Sequence, residues 1–299
     1  MPAPAPAFAA LETALEEKRV RVEGALRRLV VPGRSPAVEA AMESSLFAPA
    51  KRLRPILALM VADVLRGDAD SVLPAACALE LVHTASLILD DLPSMDDASA
   101  RRGRPACHIA HGEANAILAA FALQNRAFEV LASGWAGGPD SATRAALATE
   151  LARAIGLFGM IAGQAEDLAA TDRALDFATL EFIHRHKTGA LFMASAAVGA
   201  SAARASDAER AALVAYAKNL GLAFQIVDDL IDATGAATEA GKDVGQDVKK
   251  TTFVSFAGVE GAWQLAGELI GTSEAALRGF GDRAQPLRDL ARYVVVRRR

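Results

Sequence analysis

The chain has 299 residues, of which 52% are hydrophobic, 23% charged and only 5% aromatic, and its formal net charge is −4. That charge argues against a general nucleic-acid binder, which needs a basic face to neutralise phosphates. Abundant alanine and leucine, with few aromatic residues, favour helix over sheet. Cys77 and Cys107 fit no disulfide or metal-binding pattern, so we expect two reduced thiols in a cytoplasmic protein.

Helical periodicity runs through the chain from near its amino terminus. Residues 1–8, rich in proline and alanine, are expected to be a disordered tip. Helices are then predicted at 11–30, 51–67, 71–92, 114–133, 141–170, 180–200 and 207–234, with shorter ones near the carboxyl terminus. Pro93 should bend or end the 71–92 helix, because proline cannot donate a hydrogen bond to the preceding turn. The Gly-bearing segment 234–252 is predicted to be a polar loop.

One all-α domain spanning 1–299 is the most economical architecture, because no clear strand pattern, linker or fixed repeat interrupts the helices. About ten helices would surround a central group of very apolar ones. No segment reaches the ~18 uninterrupted apolar residues expected of a membrane span. The nearest is 188–203, whose small residues suit close packing in a core.

Two groups of aspartates emerge from helices that are otherwise apolar. They are Asp90, Asp91, Asp96 and Asp97 in DDLPSMDD, and Asp228, Asp229 and Asp232 in FQIVDDLID. Ionised carboxylates in a core are costly unless they are paired or bound to metal. A solvated helix end explains either group alone about as well as a site does, but it explains the two together poorly. Oxygen ligands in such numbers suit Mg²⁺, which binds through few protein carboxylates together with substrate phosphates.

Basic side chains stand at motif-like positions along the same chain. They are Lys51, Arg52 and Arg54 in AKRLRP, Arg101 and Arg102 in RRGRP, Lys187 in HKTG and Lys242 in GKD. Arginine suits forked contact with phosphate oxygens, and lysine suits point-charge contact. Together with the aspartates, these residues indicate a site for a phosphate-bearing substrate and magnesium.

In this order the motifs resemble those of the trans-isoprenyl diphosphate synthases. DDLPSMDD with RRGRP, and later FQIVDDLID, are similar to the family's first and second aspartate-rich motifs. KRLRP, GQAEDL, HKTG and GKDVGQDVKKTT also stand in the family's order, so the resemblance runs from about residue 45 to the carboxyl terminus. It implies an all-α fold around a deep central cavity, a homodimer, and condensation of an allylic diphosphate with isopentenyl diphosphate.

The resemblance also implies roles for individual residues. Asp90 and Asp96 would ligate two Mg²⁺ ions and Asp228 a third. The metal ligands, or waters bound to the metal, would be oriented by residues that do not bind the metal themselves: Asp91, Asp229 and Asp232. The allylic diphosphate would be bound by Arg101, Lys187, Lys242, Thr188 and Gln225, and isopentenyl diphosphate by Lys51, Arg54, His83 and Arg102. No side chain is an obvious general base, and the resemblance implies that the released diphosphate accepts the proton. The terminal Arg297, Arg298 and Arg299 resemble a basic tail that closes over the pocket, although a surface charge run is the commoner meaning.

Ala85, five residues before Asp90, bears on the length of the product. Five helical residues span ~7.5 Å, so Ala85 is expected below the carboxylates, towards the apolar interior. Family members that stop at fifteen carbons commonly place an aromatic residue there as a floor, whereas Ala85, with Ser86 beside it, leaves the shaft deeper. We therefore expect a geranylgeranyl diphosphate synthase with a twenty-carbon product, and farnesyl diphosphate synthase is the alternative. The floor could instead lie on another helix, at Leu118 or Phe121.

The sequence departs from the family pattern at three points, and two further alternatives are open. Besides Ala85, Ala50 replaces a usual glycine, and Ala98 with Ser99 replaces acidic residues, as in bacterial geranylgeranyl diphosphate synthases of the carotenoid type. A class I terpene cyclase would normally carry a different second motif and needs no KRLRP site for a second diphosphate. A non-catalytic subunit of a heteromeric synthase would lose one aspartate group, and this chain keeps both.

Overall fold

The structure, a computed structural model, describes residues 8–30, 33–170, 175–234 and 251–296. Those ranges hold thirteen α-helices, a 3-10 helix and one short β-hairpin, which confirms the all-α prediction. The helices are α1 Ala9–Leu29, α2 Pro36–Leu46, α3 Leu53–Val64, α4 Ala69–Asp90, α5 Cys107–His111, α6 Glu113–Ser133, α7 Ser141–Ile155, α8 Met160–Ala169, α9 Phe177–Lys187, α10 Gly189–Ala202, α11 Asp207–Ala233, α12 Phe253–Ala276 and α13 Gln285–Val296. The hairpin strands are β1 Ala100–Arg101 and β2 Arg104–Pro105, and the 3-10 helix is Arg278–Ala284.

Two of the predicted helices are each divided in two. The predicted 141–170 helix breaks between α7 and α8, where a Cβ added to Gly159 would clash with the carbonyl oxygen of Ala154. The predicted 180–200 helix breaks at Thr188, between α9 and α10. Hydrophobic residues continue across both breaks, so the apolar pattern alone gives no sign of them. The sequence analysis was wrong at these two points.

Two hydrophobic clusters form the core. The first surrounds α4, which packs against α6 and α3, and the second surrounds α11, which packs against α10 and α12. Helix α10 contacts helices of both clusters and so joins them. Gly199 of α10 lies against Ala58 of α3 so closely that any side chain there would overlap the carbonyl oxygen of Ala58.

Two segments have the length and mean hydropathy of a membrane span, Ala69–Asp90 and Ser141–Ala169. The first is α4, and 72% of its most apolar stretch is buried by other helices, as is typical of a core helix. The second contains the break between α7 and α8, and only 22% of its most apolar stretch is buried. Its exposed side chains include Leu157 and Phe158, at 77% and 86% exposure.

Several predictions concern residues outside the described ranges. These are residues 1–7, Lys242 with most of the 234–252 loop, and the terminal arginines 297–299. Phe8, which the sequence placed in the disordered tip, packs its ring edge-on against Tyr293 with 5.6 Å between centroids. The hydroxyl of Tyr293 also lies 3.2 Å from Oε1 of Glu12, so α1 and α13 meet here.

Candidate active site

The first aspartate motif folds back on the end of α4. Asp90 is the last helical residue, and its carbonyl oxygen accepts a hydrogen bond from the N–H of Asp96 at 2.9 Å. The carbonyl oxygen of Asp91 accepts one from Ala98 at 3.2 Å. This turn brings Asp96 beside Asp90, and both remain half-buried. The helix ends before Pro93, as predicted.

The β-hairpin that follows holds the two arginines of RRGRP. Arg102 and Gly103 form its turn with positive φ angles of 54° and 71°. Arg101 donates from Nε to Oδ1 of the buried Asp91 at 2.9 Å. Burial alone would lower the pKa of Arg101, but the hydrogen bond and the nearby charges of Asp91, Asp90 and Asp96 outweigh it and raise that pKa. The carboxylate of Asp91 is therefore buried and paired with Arg101.

The residues predicted to bind isopentenyl diphosphate, Lys51, Arg54, His83 and Arg102, are called the basic cluster here. Arg54 on α3, His83 on α4 and Arg102 in the hairpin lie close enough to affect one another's pKa, whereas Lys51 is exposed just before α3. Nη1 of Arg54 is 3.0 Å from Nε2 of His83. Burial lowers the pKa of Arg54 to about 10, and it also lowers the pKa of Arg102. Burial, with the neighbouring Arg54, holds the pKa of His83 well below 6.5. Arg54 and Arg102 are half-buried cations whose charge is costly, so a bound anion would stabilise them.

Lys187 lies at the end of α9, and its Nζ is 2.7 Å from Oδ2 of Asp167 on α8. Gly163 makes this pair possible, because a Cβ at that position would overlap the backbone N of Lys187. Lys187 is also the strongest influence that lowers the pKa of Asp90. This cation therefore lies between the carboxylate of Asp167 and the first aspartate motif.

The second aspartate motif is tied to its surroundings by a chain of hydrogen bonds. Thr188 Oγ1 donates to Gln225 Oε1 at 2.8 Å, and Gln225 Nε2 donates to Asp229 Oδ1 at 2.9 Å. The N–H of Phe253, the first residue of α12, donates to Asp229 Oδ2 at 3.2 Å. Both oxygens of the buried Asp229 are therefore engaged, whereas Asp228 and Asp232 are half-buried.

The electrostatics at Asp90 favour a bound cation. The pKa of Asp90 is raised to about 6, mainly by burial and also by Asp96 and Asp91, while Lys187 and Arg101 oppose the rise. Across the described ranges no three His, Cys, Asp or Glu side chains form a ready-made metal cage. The half-buried carboxylate oxygens of Asp90, Asp96 and Asp228 are of the kind that hard divalent cations take as ligands.

The two residues predicted to limit the length of the product, Ala85 and Ser86, lie on different faces of α4. Ala85 is buried in the first core cluster, while Ser86 is half-buried and donates from Oγ to the carbonyl oxygen of His83 at 2.9 Å. Because Ser86 precedes Asp90 by four residues, it shares the face of α4 that carries this carboxylate. Leu118 and Phe121 on α6 are each more than half exposed, so they enclose no cavity within the single chain.

Two carboxylates in contact with site cations were assigned no role from the sequence. Asp167 belongs to GQAEDL, a motif that was noticed without a function. Glu80, which pairs with Arg52, is the only charged residue of the apolar stretch 71–82. A lone charge in an apolar helix indicates a buried carboxylate, which needs a partner. This feature of the sequence could have identified Glu80.

Comparison with known proteins identifies the relatives of this chain. The family model for polyprenyl synthetase matches residues 35–264. A chloroplastic geranylgeranyl pyrophosphate synthase of Capsicum annuum is 41% identical, over 94% of this chain and 77% of its own length. A geranylgeranyl diphosphate synthase of Cyanophora paradoxa is 39% identical, over 96% of either chain. The apo crystal structure of an FPP/GFPP synthase from Zymomonas mobilis superposes with a TM-score of 0.85 at 36% identity, over 96% of this chain and 99% of that one.

Proposed function

Because the chain belongs to the polyprenyl synthetase family and is a trans-prenyltransferase, we propose that it is a geranylgeranyl diphosphate synthase. It would condense allylic diphosphates with isopentenyl diphosphate until the product has twenty carbons. The observation that carries this proposal is the presence of two separate sets of cations. Arg101 and Lys187 accompany Asp90, while the basic cluster around Arg54 and His83 provides a second diphosphate site.

Farnesyl diphosphate synthase is the second candidate. The similar protein from Zymomonas mobilis is named an FPP/GFPP synthase. A relative of this chain is therefore named for products of other lengths than twenty carbons. A class I terpene cyclase fits less well, because it would leave the basic cluster without a substrate. A non-catalytic subunit also fits less well, because both aspartate motifs are present.

Members of this family need a divalent metal for catalysis. We propose that Asp90, Asp96 and Asp228 hold Mg²⁺, with three ions expected when substrate is bound. Asp91, Asp229 and Asp232 would orient ligands or waters around them. The hydrogen bonds that Asp91 and Asp229 already make support an orienting role, because their oxygens are occupied. Bound magnesium supplies positive charge that stabilises the leaving diphosphate.

The remaining residues act on the two substrates. Arg101, Lys187 and Lys242, with Thr188 and Gln225, would bind the allylic diphosphate. Their fixed cations stabilise the negative charge that develops on diphosphate as the allylic C–O bond breaks. The basic cluster holds isopentenyl diphosphate so that its double bond faces the allylic carbon, which makes the encounter effectively intramolecular. The condensed cation then loses a proton to the released diphosphate.

A homodimer is proposed from the exposed apolar surface. Exposed apolar side chains on α6, at the α7–α8 break and on α8 include Leu118, Phe121, Leu157, Phe158 and Ile161. Exposed apolar side chains that cluster on a soluble protein often mark an interface, and a second copy of the chain would cover these. Light scattering at micromolar concentration should give the dimer mass, and Phe158→Asp should lower it. A monomeric wild-type protein would contradict the proposal.

We further propose that residues 1–299 form one domain and that the protein works in the cytoplasm. Contacts of α10 with both core clusters support the single domain. Two free, buried cysteines, Cys77 and Cys107, suit a reducing compartment. Limited proteolysis that releases a stable fragment from the middle of the chain would argue against one domain, and fractionation of the native cells tests the location.

Incubation of the purified protein with labelled isopentenyl diphosphate, an allylic diphosphate and Mg²⁺ tests the reaction itself. Label should pass into longer allylic diphosphates, and a chelator should stop the transfer until Mg²⁺ is restored. Failure of the protein to transfer label from any allylic primer between five and fifteen carbons would overturn the proposed function.

A further inference from the structure

A buried ion pair lies beside the basic cluster. The side chains of Arg52 and Glu80 are 0% and 2% exposed, and Arg52 Nη1 is 2.7 Å from Glu80 Oε1. Nη2 of the same guanidinium donates to the carbonyl oxygens of Leu46 and Ala48. Its Nε lies 3.6 Å from Oε1 of Glu23 on α1. Arg52 therefore ties the α2–α3 connection to α4 and brings it close to α1.

Arg52 stands between two members of the basic cluster, Lys51 and Arg54. Its backbone has φ 51° and ψ 34°, a left-handed conformation that residues with a Cβ seldom adopt. Such a conformation persists only where the surroundings fix it. At Arg52 the surroundings are its own contacts with Glu80 and the two carbonyl oxygens. The side chain of Arg52 therefore holds the bend between Lys51 and the start of α3, where Arg54 lies.

Glu80 acts from α4, three residues before His83 and therefore on an adjacent turn of the same face. Arg52 contacts Glu80, and Arg54 contacts His83 at 3.0 Å. Two successive turns of α4 therefore each contact an arginine at or just before the start of α3. Burial lowers the pKa of Arg54 and of Arg102, and the charge of Glu80 opposes that fall at both. Glu80 thus contacts Arg52 and stabilises the charge of Arg54 and Arg102 from a distance.

We propose that Arg52 and Glu80 are positioning residues for isopentenyl diphosphate. The pair sets the backbone that places Lys51 and Arg54, and Glu80 supplies the counter-charge that keeps the arginines together. Neither residue touches the substrate. The inference rests on the proposed function, because it takes the basic cluster as the isopentenyl diphosphate site. Stability alone explains the pair poorly, since apolar replacement of a buried ion pair is often neutral or stabilising.

The test compares Arg52→Met, Glu80→Met and the double variant with the wild type. Three quantities are measured: the KM for each substrate, the affinity for isopentenyl diphosphate alone by calorimetry, and the melting temperature. Arg52→Met should raise the KM for isopentenyl diphosphate by roughly 10- to 100-fold, because small displacements of positioning groups have effects of that size. The KM for the allylic diphosphate should change by less than about 2-fold.

The double variant separates positioning from stability. Two methionines can fill the buried site, so its melting temperature should return towards that of the wild type. The KM for isopentenyl diphosphate should nevertheless stay raised. Recovery of both quantities would overturn the proposal, because the pair would then serve stability alone. Should Arg52→Met fail to fold, the double variant and Arg52→Lys, which can still pair with Glu80 and should be intermediate, provide the same comparison.

Arg52→Gly tests the side chain apart from the bend. Glycine adopts the left-handed conformation freely, so a wild-type KM in this variant would show that the guanidinium is unnecessary and would overturn the proposal. Tyr216→Phe is the matched control, since it removes a buried hydrogen bond of 2.7 Å to the carbonyl oxygen of Leu287 in the second core cluster. It should lower the melting temperature without changing either KM.

Calorimetry distinguishes failure of the proposed function from failure of the positioning role. A wild-type protein that does not bind isopentenyl diphosphate would refute the proposed function of the basic cluster. Equal binding by the wild type and by Arg52→Met would refute the positioning role alone.

Discussion

Nζ of Lys187 lies 2.7 Å from Oδ2 of Asp167, and the two side chains are 23% and 15% exposed. A cation proposed to bind the allylic diphosphate is thus held in place by a carboxylate from the neighbouring helix before substrate arrives. The pair depends on Gly163, where α8 and α9 approach too closely for any side chain. A lysine that is already oriented loses less side-chain freedom when diphosphate binds.

Asp167→Asn should therefore raise the KM for the allylic diphosphate by about 10-fold, because Lys187 loses the partner that orients it. The same substitution should have little further effect in a Lys187→Gln background. The double-mutant cycle on kcat/KM measures this coupling. Strictly additive effects of the two substitutions would contradict the positioning of Lys187 by Asp167.

Asp90→Asn should lower kcat/KM by about 10²-fold or more, because it removes a carboxylate proposed to bind magnesium beside the leaving group. Added Mg²⁺ should restore only part of the activity. Asp97→Asn is the matched control, since Asp97 is exposed in the same motif and has a φ of 46°, which asparagine tolerates. Equal losses in the two variants would refute the specific role of Asp90.

His83→Gln should flatten the pH dependence of stability between pH 5 and 7. Burial lowers the pKa of His83 well below 6.5, with Arg54, Arg102, Arg101 and Arg52 adding to the effect. The unfolded chain therefore takes up a proton below pH 6.5 that the folded protein does not, and the free energy of unfolding falls as the pH decreases. The difference in slope should reach at most about 1 kcal/mol per pH unit, since His83 is partly exposed.

Urea denaturation of both proteins at pH 5, 6 and 7 measures those slopes. If His83→Gln and the wild type lose stability in parallel as the pH falls, the pKa of His83 is not lowered as described above.

Ala85→Tyr should shorten the main product if Ala85 forms the floor of the cavity, as the sequence predicts, because the larger ring would raise that floor. Ala85 is buried, so the ring also costs about 1–3 kcal/mol of stability by overpacking. Ala266→Leu, which overpacks the second core cluster, controls for that loss and should leave the product unchanged. An unchanged product distribution in folded Ala85→Tyr would show that the floor lies elsewhere, and Ser86→Phe then tests the face that carries Asp90.

The long helices could be predicted because their apolar faces are continuous. The bounds of α1, α4, α6 and α11 agree with the predicted 11–30, 71–92, 114–133 and 207–234 to within two residues. The short helices α2 and α5 offer too few turns for a clear period, and they were missed. The break at Gly159 was also missed, because the apolar pattern continues through it while the backbone turns tightly back on Ala154.

The carboxylates and cations of the site could be located from the sequence because their charge contrasts with apolar helices. Their pairing could not, since it depends on which helices meet. Asp167 and Lys187 are 20 residues apart, and Arg52 and Glu80 are 28 apart. The contacts of Asp91 with Arg101 and of Asp229 with the start of α12 likewise depend on the folded backbone. The roles assigned to these residues stay predictions.

The size of the product tests the central claim most directly. Purified protein is supplied with labelled isopentenyl diphosphate, dimethylallyl, geranyl or farnesyl diphosphate, and Mg²⁺, and the products are sized by chromatography. A geranylgeranyl diphosphate synthase should accumulate the twenty-carbon product from each primer. A dominant fifteen-carbon product, with farnesyl diphosphate left unextended, would contradict it.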